Sequence, residues 1–200
     1  MNARPDPSAA DVVSKDSAGR IKVWDPVVRL FHWTVVSGCL VNLIREDGDA
    51  VHRWLGYLVA AAIAIRLIWG FVARGHARFS SFVPGPSTLR SYAGQMLRRR
   101  EPRYVGHNPA GAVMMMALVG LLIGVSLTGW LMGLDRFWGN EMLQEAHELI
   151  ANAILVLAVI HVLAALFESR RHHENLIKAM ITGYKRKPRG TDIDNATDPG

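Results

Sequence analysis

Four long apolar segments, separated by polar stretches, dominate the pattern along this chain. Their hydrophobic residues are collected into blocks rather than spaced three or four apart, so each block predicts a helix that is apolar on all sides. Each is about as long as the 20 or so residues that cross the hydrocarbon core of a membrane. The pattern therefore predicts an all-α integral membrane protein, a four-transmembrane-helix bundle with spans at about 26–44, 50–72, 109–134 and 144–167.

Capping residues mark where two of these helices begin. Asp25-Pro26 and Asn108-Pro109 each place a capping side chain before a proline at the first helical position. The third span also carries glycines at positions 120, 124, 129 and 133. Because small residues about four apart let a neighbouring helix approach closely, this span is expected to pack tightly against another.

The remaining segments predict short helices and two tails. Positions 89, 92, 96 and 97, all large and apolar or aromatic, share one helical face within the basic stretch 73–107, which predicts a short interfacial helix. A second surface helix is expected from Glu174 to Thr182, ended by Gly183. Residues 1–20 and 186–200 are polar and are expected to form disordered tails around one domain at 21–185.

Positive charge is distributed unevenly between the predicted connections. Nineteen Lys or Arg residues precede the first span's core, lie within 73–107 or follow residue 167, against three on the other side, Arg45, Arg53 and Arg136. Cytoplasmic segments carry the excess of Lys and Arg. Both termini and the long middle connection are therefore expected to be cytoplasmic, in a multi-pass protein of the bacterial cytoplasmic (inner) membrane. The net charge of +6 then reflects topology and contact with anionic lipids, and no nucleic-acid-binding pattern accompanies it.

Four histidines lie in or at the edge of the apolar segments, namely His32, His52, His147 and His161. An ionisable group at that depth marks a functional site by default. Fourteen residues separate the last two. At about 100° and 1.5 Å per residue, their rings lie within roughly 40° of each other and about 21 Å apart along one helix. This helix presents two histidines to the same neighbours, near opposite edges of the membrane core.

The predicted topology pairs these histidines by depth. His32 and His161 fall at the cytoplasmic level, and His52 and His147 fall at the outer level. Haem b takes two axial ligands, which imidazoles on facing helices provide with little strain. The two pairs predict two non-covalent b haems, and the chain has no CxxCH motif for covalent attachment. The alternative is that the histidines are interfacial residues close to water, where His32, His52 and His147 would each be tolerated.

The histidines lie within a series of short sequence motifs that follow one another along the chain. The motifs are VWDPVVRLFHW (23–33), HRWLGY (52–57), RLIWGF (66–71), GHNPAGA (106–112), LTGW (127–130), AHELIANAIL (146–155), IHVLAALFES (160–169) and HENLIKAMITG (173–183). Over roughly residues 21–185 they resemble the bacterial cytochrome b561 and nickel-iron hydrogenase b-type cytochrome family.

The resemblance implies a four-helix cytochrome of the cytoplasmic membrane with two b haems. Such a protein exchanges electrons between the quinone pool and a redox partner in a respiratory chain. The implied axial ligands come from the first, second and fourth helices, and they correspond to the same four histidines. The family is functionally mixed, so the partner stays open among a dehydrogenase, a hydrogenase and a cytochrome c.

Four further residues are candidates for contact with the cofactors. Arg66 lies fourteen residues after His52, on the same face and at the level of His32 and His161. A haem propionate would pair with its charge, and the alternative is that the side chain extends to the cytoplasmic surface. Arg29 and Arg53 are weaker candidates for the same role, or for lipid phosphate. Gly56, one turn after His52, leaves room either for a porphyrin or for helix packing.

Other patterns indicate structure rather than chemistry. The adjacent methionines 114–116 point in three directions in a helix without histidine, so they are expected to fill the core. The histidines at 76, 107, 172 and 173 are expected to be solvated or structural. The chain has one cysteine, Cys39, which excludes an intramolecular disulfide and any multi-cysteine metal site. No GxSxG, P-loop or HExxH motif supports hydrolytic or group-transfer chemistry.

Two classes of function remain. The first is a transmembrane electron carrier or oxidoreductase subunit that uses both haems. The second is a non-redox membrane anchor or assembly subunit of a respiratory complex, which keeps the fold without a working haem pair. The four intact ligand positions favour the first.

Overall fold

The computed structural model describes residues 19–45 and 48–196, and the part of the chain that it describes is mostly helical. In chain order the elements are β1 (Arg20–Lys22), α1 (Pro26–Ile44), α2 (Ala50–Val72), α3 (Pro86–Leu97), α4 (Pro109–Met132), α5 (Glu141–Arg171), α6 (Leu176–Thr182) and β2 (Tyr184–Arg186). Three single 3₁₀ turns lie at Gly75–Ala77, Phe79–Ser81 and Asp135–Phe137. Helices α1, α2, α4 and α5 are long and apolar enough to cross a membrane. The chain is therefore built as a multi-pass membrane protein.

All four long helices begin at a side-chain cap. Asp25, Asp49, Asn108 and Asn140 each accept a hydrogen bond from the backbone N–H three residues later, at 2.6 to 3.0 Å. Proline follows the cap in α1 and α4, as the sequence predicts. The bounds of α1 and α2 coincide with the predicted spans.

Helix α5 is longer than the apolar pattern predicts. It runs for 31 residues instead of the predicted 144–167, because the Asn140 cap and the polar residues at both ends continue the same hydrogen-bonded helix. At about 1.5 Å per residue it is roughly 46 Å long, so its ends extend beyond a hydrocarbon core about 30 Å thick. Helix α4 ends at Met132, two residues before the predicted boundary.

The bundle consists of two helical hairpins, α1 with α2 and α4 with α5, which meet where α2 packs against α4. Val59, Ile63 and Leu122 form the buried centre of this contact. Two glycines of α4 allow α5 to approach closely, as predicted. A side chain at Gly124 would meet Ile150 of α5, and one at Gly129 would meet His147. None of the residues of α5 is fully buried, although this helix makes an extensive contact with α4.

The two ends of the bundle differ. The turn end carries the short connections after α1 and α4. The loop end carries β1, the long connection 73–108 and the residues that follow α5. Helix α6 ends at Gly183, whose backbone has φ +87°, as the sequence predicts. The predicted helix before α4 is present as α3, where Tyr92 is buried against Tyr104 while Leu97 is exposed.

The residues after α6 differ from the predicted disordered tail. Strand β2 pairs with β1 in antiparallel register, and Ile193 forms a bridge with Tyr104. His76 pairs with Asp194 at 2.8 Å, and residues 186–196 are therefore held against the loop end. A polar composition shows only that a segment has no apolar core of its own. Residues 186–196 are instead ordered by charged residues elsewhere in the chain. Residues 1–18 and 197–200, in the predicted tails, lie outside the described residues.

Residues 101–107, Glu174 and residues 184–195 together form a unit that we call the loop-end cap. A network of buried and partly buried charges holds this unit together. Arg103 is 5% exposed and donates to both oxygens of Glu174, to Asp192 and to the backbone oxygen of Arg186. Burial alone would raise the pKa of Glu174, but hydrogen bonds from the Arg186 N–H and from Arg103 lower it below its usual value. The carboxylate is therefore charged and fully engaged.

Replacing Arg103 by methionine should open this cap. The change leaves Glu174 and Asp192 buried without their main partner, which costs about 3–5 kcal/mol when one member of a buried ion pair is removed. Hydrogen exchange of the amides in 184–196 should become much faster, while exchange in α2 and α4 stays slow. Arg100→Met, at an exposed arginine of the same segment, is the matched control. Equal protection in the two variants would contradict the role of Arg103.

Candidate functional site

The turn end brings two of the four histidines together. His52 is the third residue of α2, and its backbone N–H donates to the Asp49 cap. His147 lies in the second turn of α5, and the centroids of the two imidazoles are 6.3 Å apart. Asn42 of α1 donates to the backbone oxygen of His52 at 3.1 Å, which ties the start of α2 to α1. The depth pairing of His52 with His147, inferred from sequence, corresponds to a direct approach of the rings.

Both imidazoles are oriented by hydrogen bonds at Nδ1. His52 Nδ1 lies 3.0 Å from the backbone oxygen of Arg45, and a carbonyl only accepts, so Nδ1 carries the hydrogen. His147 Nδ1 lies 2.9 Å from Thr128 Oγ1. That hydroxyl already has carbonyl oxygens of Gly124 and Val125 at 3.0 and 3.1 Å for its own hydrogen, so it accepts from His147. In the neutral form of each ring, Nε2 is therefore the nitrogen without a hydrogen, which is the one that binds a metal.

Thr128 is the residue of this site that the sequence did not reveal. Its hydroxyl lies on α4, the one long helix without a histidine, and it reaches His147 across the α4–α5 contact. Gly129 beside it makes room, because a Cβ there would lie 3.1 Å from the His147 ring. The only available signal was an isolated hydroxyl within the apolar LTGW stretch, next to a glycine.

The second pair of histidines lies toward the loop end. His32 on α1 and His161 on α5 are near enough to interact electrostatically. His32 packs edge-on against Trp33, with centroids 5.1 Å apart, and its Nδ1 is buried without a hydrogen-bond partner. Both rings are only partly buried, and their helices, α1 and α5, have little direct contact with each other.

Arg66 is enclosed in the same region. Its side chain is 3% exposed, with the guanidinium carbon 4.6 Å from the centroid of Phe79. It therefore does not extend to the surface. One guanidinium nitrogen is buried without a hydrogen-bond partner, and Arg29 Nε is in the same state. Asp25 is the nearby carboxylate, and its two oxygens accept from Val28 N–H and Trp69 Nε1–H.

The other two candidates lie at the turn end. Arg53 is exposed. A Cβ added at Gly56 would meet no atom within 4 Å, so this glycine faces open space rather than a neighbouring helix. That position is consistent with the predicted room for a porphyrin and does not support tight helix packing at Gly56.

The residues present fit a b-type haem. His52 and His147, whose ring centroids are 6.3 Å apart, would be the residues that hold the haem iron at the turn end. Near His32 and His161, the buried nitrogens of Arg66 and Arg29 lack acceptors, which carboxylates such as haem propionates would supply. A four-helix membrane bundle with these features is a membrane b-type cytochrome.

Comparison with known proteins agrees with this class. Residues 23–183 match the family described as prokaryotic cytochrome b561, and the chain belongs to that family. The family predicted from sequence is confirmed. No solved structure matches the chain.

Several relatives carry the same name, probable Ni/Fe-hydrogenase B-type cytochrome subunit. The protein from Bradyrhizobium diazoefficiens is 25% identical over 89% of this chain and 92% of its own length. The one from Rhodobacter capsulatus is 23% identical over 90% and 87%, respectively. The one from Rhizobium leguminosarum bv. viciae is 26% identical over 88% and 94%. The similarity thus extends over nearly the whole of each protein.

Proposed function

We propose that this protein is a di-haem b cytochrome of the bacterial cytoplasmic membrane that transfers electrons between the quinone pool and a redox partner. The observation that carries the proposal is the approach of His52 and His147, each with Nδ1 held by an acceptor and Nε2 left to bind iron. Haem, when bound, supplies one-electron redox chemistry. The chain's part is to fix two such groups at set depths.

The long helix α5 sets those depths. His147 and His161 lie on the same face, about 21 Å apart at 1.5 Å per residue. His32 and His52, from the two helices of the first hairpin, supply the second ligand at each level. The proposed pairs are therefore His32 with His161 and His52 with His147. The charge distribution supports a cytoplasmic location for the loop end and both termini, with basic residues against anionic lipid.

The relatives' names support one partner above the others. A nickel-iron hydrogenase is the protein that those names associate with this type of subunit. We propose such a hydrogenase as the redox partner, with a dehydrogenase or a cytochrome c as the alternatives. Affinity purification of the tagged chain from its native membrane, followed by identification of the bound subunits, distinguishes them.

Purified protein should contain two non-covalent haems b per chain, because two histidine pairs are available. A pyridine haemochrome assay against protein concentration measures the ratio, and the reduced spectrum should show sharp alpha and Soret bands of bis-histidine ligation. One haem per chain in fully loaded protein would reject the two-site proposal. Protein without haem would favour the alternative of a non-redox anchor.

Single histidine substitutions should separate the two sites. His32→Ala and His161→Ala should each remove the loop-end haem, whereas His52→Ala and His147→Ala should each remove the turn-end haem. Redox titration then loses one component in each variant, and it is the same component within a pair. His173→Ala, at an exposed histidine of the loop end, is the control and should keep both components. If His32→Ala and His52→Ala lost the same component, the proposed pairing would be wrong.

Arg66 should stabilise the reduced form of the loop-end haem, because a buried guanidinium offsets the negative charge of a propionate. Arg66→Leu should lower the midpoint potential of that haem by the equivalent of about 1–3 kcal/mol, from Coulomb's law at an effective dielectric constant of about 20. The turn-end haem should change little. Arg66→Lys should have a smaller effect, since it keeps the charge but loses the planar fork. Unchanged potentials and haem content in Arg66→Leu, measured by spectroelectrochemistry, would reject the propionate role.

A further inference from the structure

The imidazole of His107 occupies an aromatic slot at the loop end, immediately before the Asn108 cap of α4. Its centroid lies 4.7 Å from that of Trp24 and 4.6 Å from that of Phe82, and both of these side chains are buried. Asn195 of the loop-end cap donates to the backbone oxygen of His107 at 3.0 Å. The ring and its backbone are thus fixed from three sides, which is more restraint than a solvated loop histidine receives.

Despite this restraint, Nδ1 of His107 is buried and has no hydrogen-bond partner among the described residues. A buried polar group without a partner costs about 1–3 kcal/mol, and native proteins leave few of them. Burial and the neighbouring charges of Lys185 and Arg66 lower the pKa of His107 to about 3, so the ring is neutral at physiological pH. A neutral imidazole has one N–H, and Nδ1 is the buried ring nitrogen without a partner, so it is able to carry that hydrogen toward an acceptor.

Arg66 is connected to the ring of His107 through two phenylalanines. Its guanidinium lies over Phe79, whose centroid is 5.9 Å from that of Phe82, which in turn contacts His107. His107 interacts electrostatically with both Arg66 and His161. His107 and Arg66 thus each have a buried nitrogen without a hydrogen-bond partner, and the two side chains are connected through the Phe82–Phe79 contact.

We infer that His107 and Arg66 together hold a propionate carboxylate of the loop-end haem, with His107 donating from Nδ1. This inference rests on the proposed function. A carboxylate has two oxygens, enough to accept from both groups. The site favours an anion over a neutral acceptor because Arg66 is cationic and the carboxylate of Asp25 is already engaged by Val28 and Trp69. His107 is thus a positioning residue for the cofactor, which its place beside a helix cap does not reveal.

The test compares His107→Phe, which keeps an aromatic ring in the slot, with His107→Gln, which keeps an amide donor. Each purified full-length protein is stripped of haem and reconstituted with haem b, and the retention and midpoint potential of the loop-end haem are measured. His107→Phe should weaken retention about tenfold or more, the usual effect of losing a supporting hydrogen bond. His107→Gln should restore most of it. The turn-end haem serves as the internal control.

A second arm uses haem dimethyl ester, in which both propionate charges are removed. With this probe the difference in retention between the wild-type protein and His107→Phe should become much smaller, because the ester carbonyl is neutral and accepts a weaker hydrogen bond than a carboxylate. A loss that is equally large with haem b and with the ester would instead indicate a packing role or another acceptor, such as a quinone carbonyl, and would overturn the inference. If His107→Phe does not fold, His107→Met is the second apolar replacement, compared with His107→Gln in the same way.

These results separate the inference from the function on which it rests. Retention and potential in His107→Phe that match the wild type, while His32→Ala still loses the haem, would contradict the role of His107 alone. Wild-type protein that binds no haem at the loop end would contradict the proposed function itself.

Discussion

Polar groups inside an apolar bundle need partners, and this requirement governs the arrangement of the rest of the structure. An imidazole in hydrocarbon is costly unless both ring nitrogens are used. At the turn end the protein satisfies Nδ1 of His52 with a carbonyl and Nδ1 of His147 with a hydroxyl, and each hydrogen bond also fixes the tautomer. The second nitrogen of each ring has no such partner among the described contacts, and the two ring centroids are 6.3 Å apart. The proposed iron ligation completes a requirement that the helices themselves leave open.

The packing of the helices also depends on the proposed site. All four long helices contribute to the small core around Val59, Ile63 and Leu122, but α5 does so only through the partly buried Ile154 and has no fully buried residue among those described. The helix that carries two of the proposed ligands is therefore the one long helix without a fully buried residue among those described. The loop-end cap compensates at one end, since Glu174, just after α5, is held by Arg103. Cofactor and cap together would restrain α5 along its length.

The loop end shows how a polar segment becomes ordered without an apolar core. The network joins charged residues from separate segments of the chain, namely Arg103, Glu174, Lys185 and Asp192. The local pattern that predicts helices and strands gives no sign that these residues will meet. Brought together, they satisfy one another at low exposure, and they hold β2 against β1. Because Arg103 pairs with both carboxylates and Glu174 with both Arg103 and Lys185, removing one member weakens several pairs at once. The same region frames Arg66 and His107.

The amino-acid sequence by itself determined the four apolar helices, the caps at Asp25 and Asn108, and the spacing of His147 and His161 on one face. These features are local, because helical periodicity and capping depend only on residues within a turn or a span. Tertiary structure decided what lies opposite each of them. Thr128 against His147, Phe79 over Arg66, and the residues 186–196 against the loop end are contacts between distant parts of the chain. Local pattern carries no information about such contacts, since the helices meet only when the whole bundle and its cap have folded.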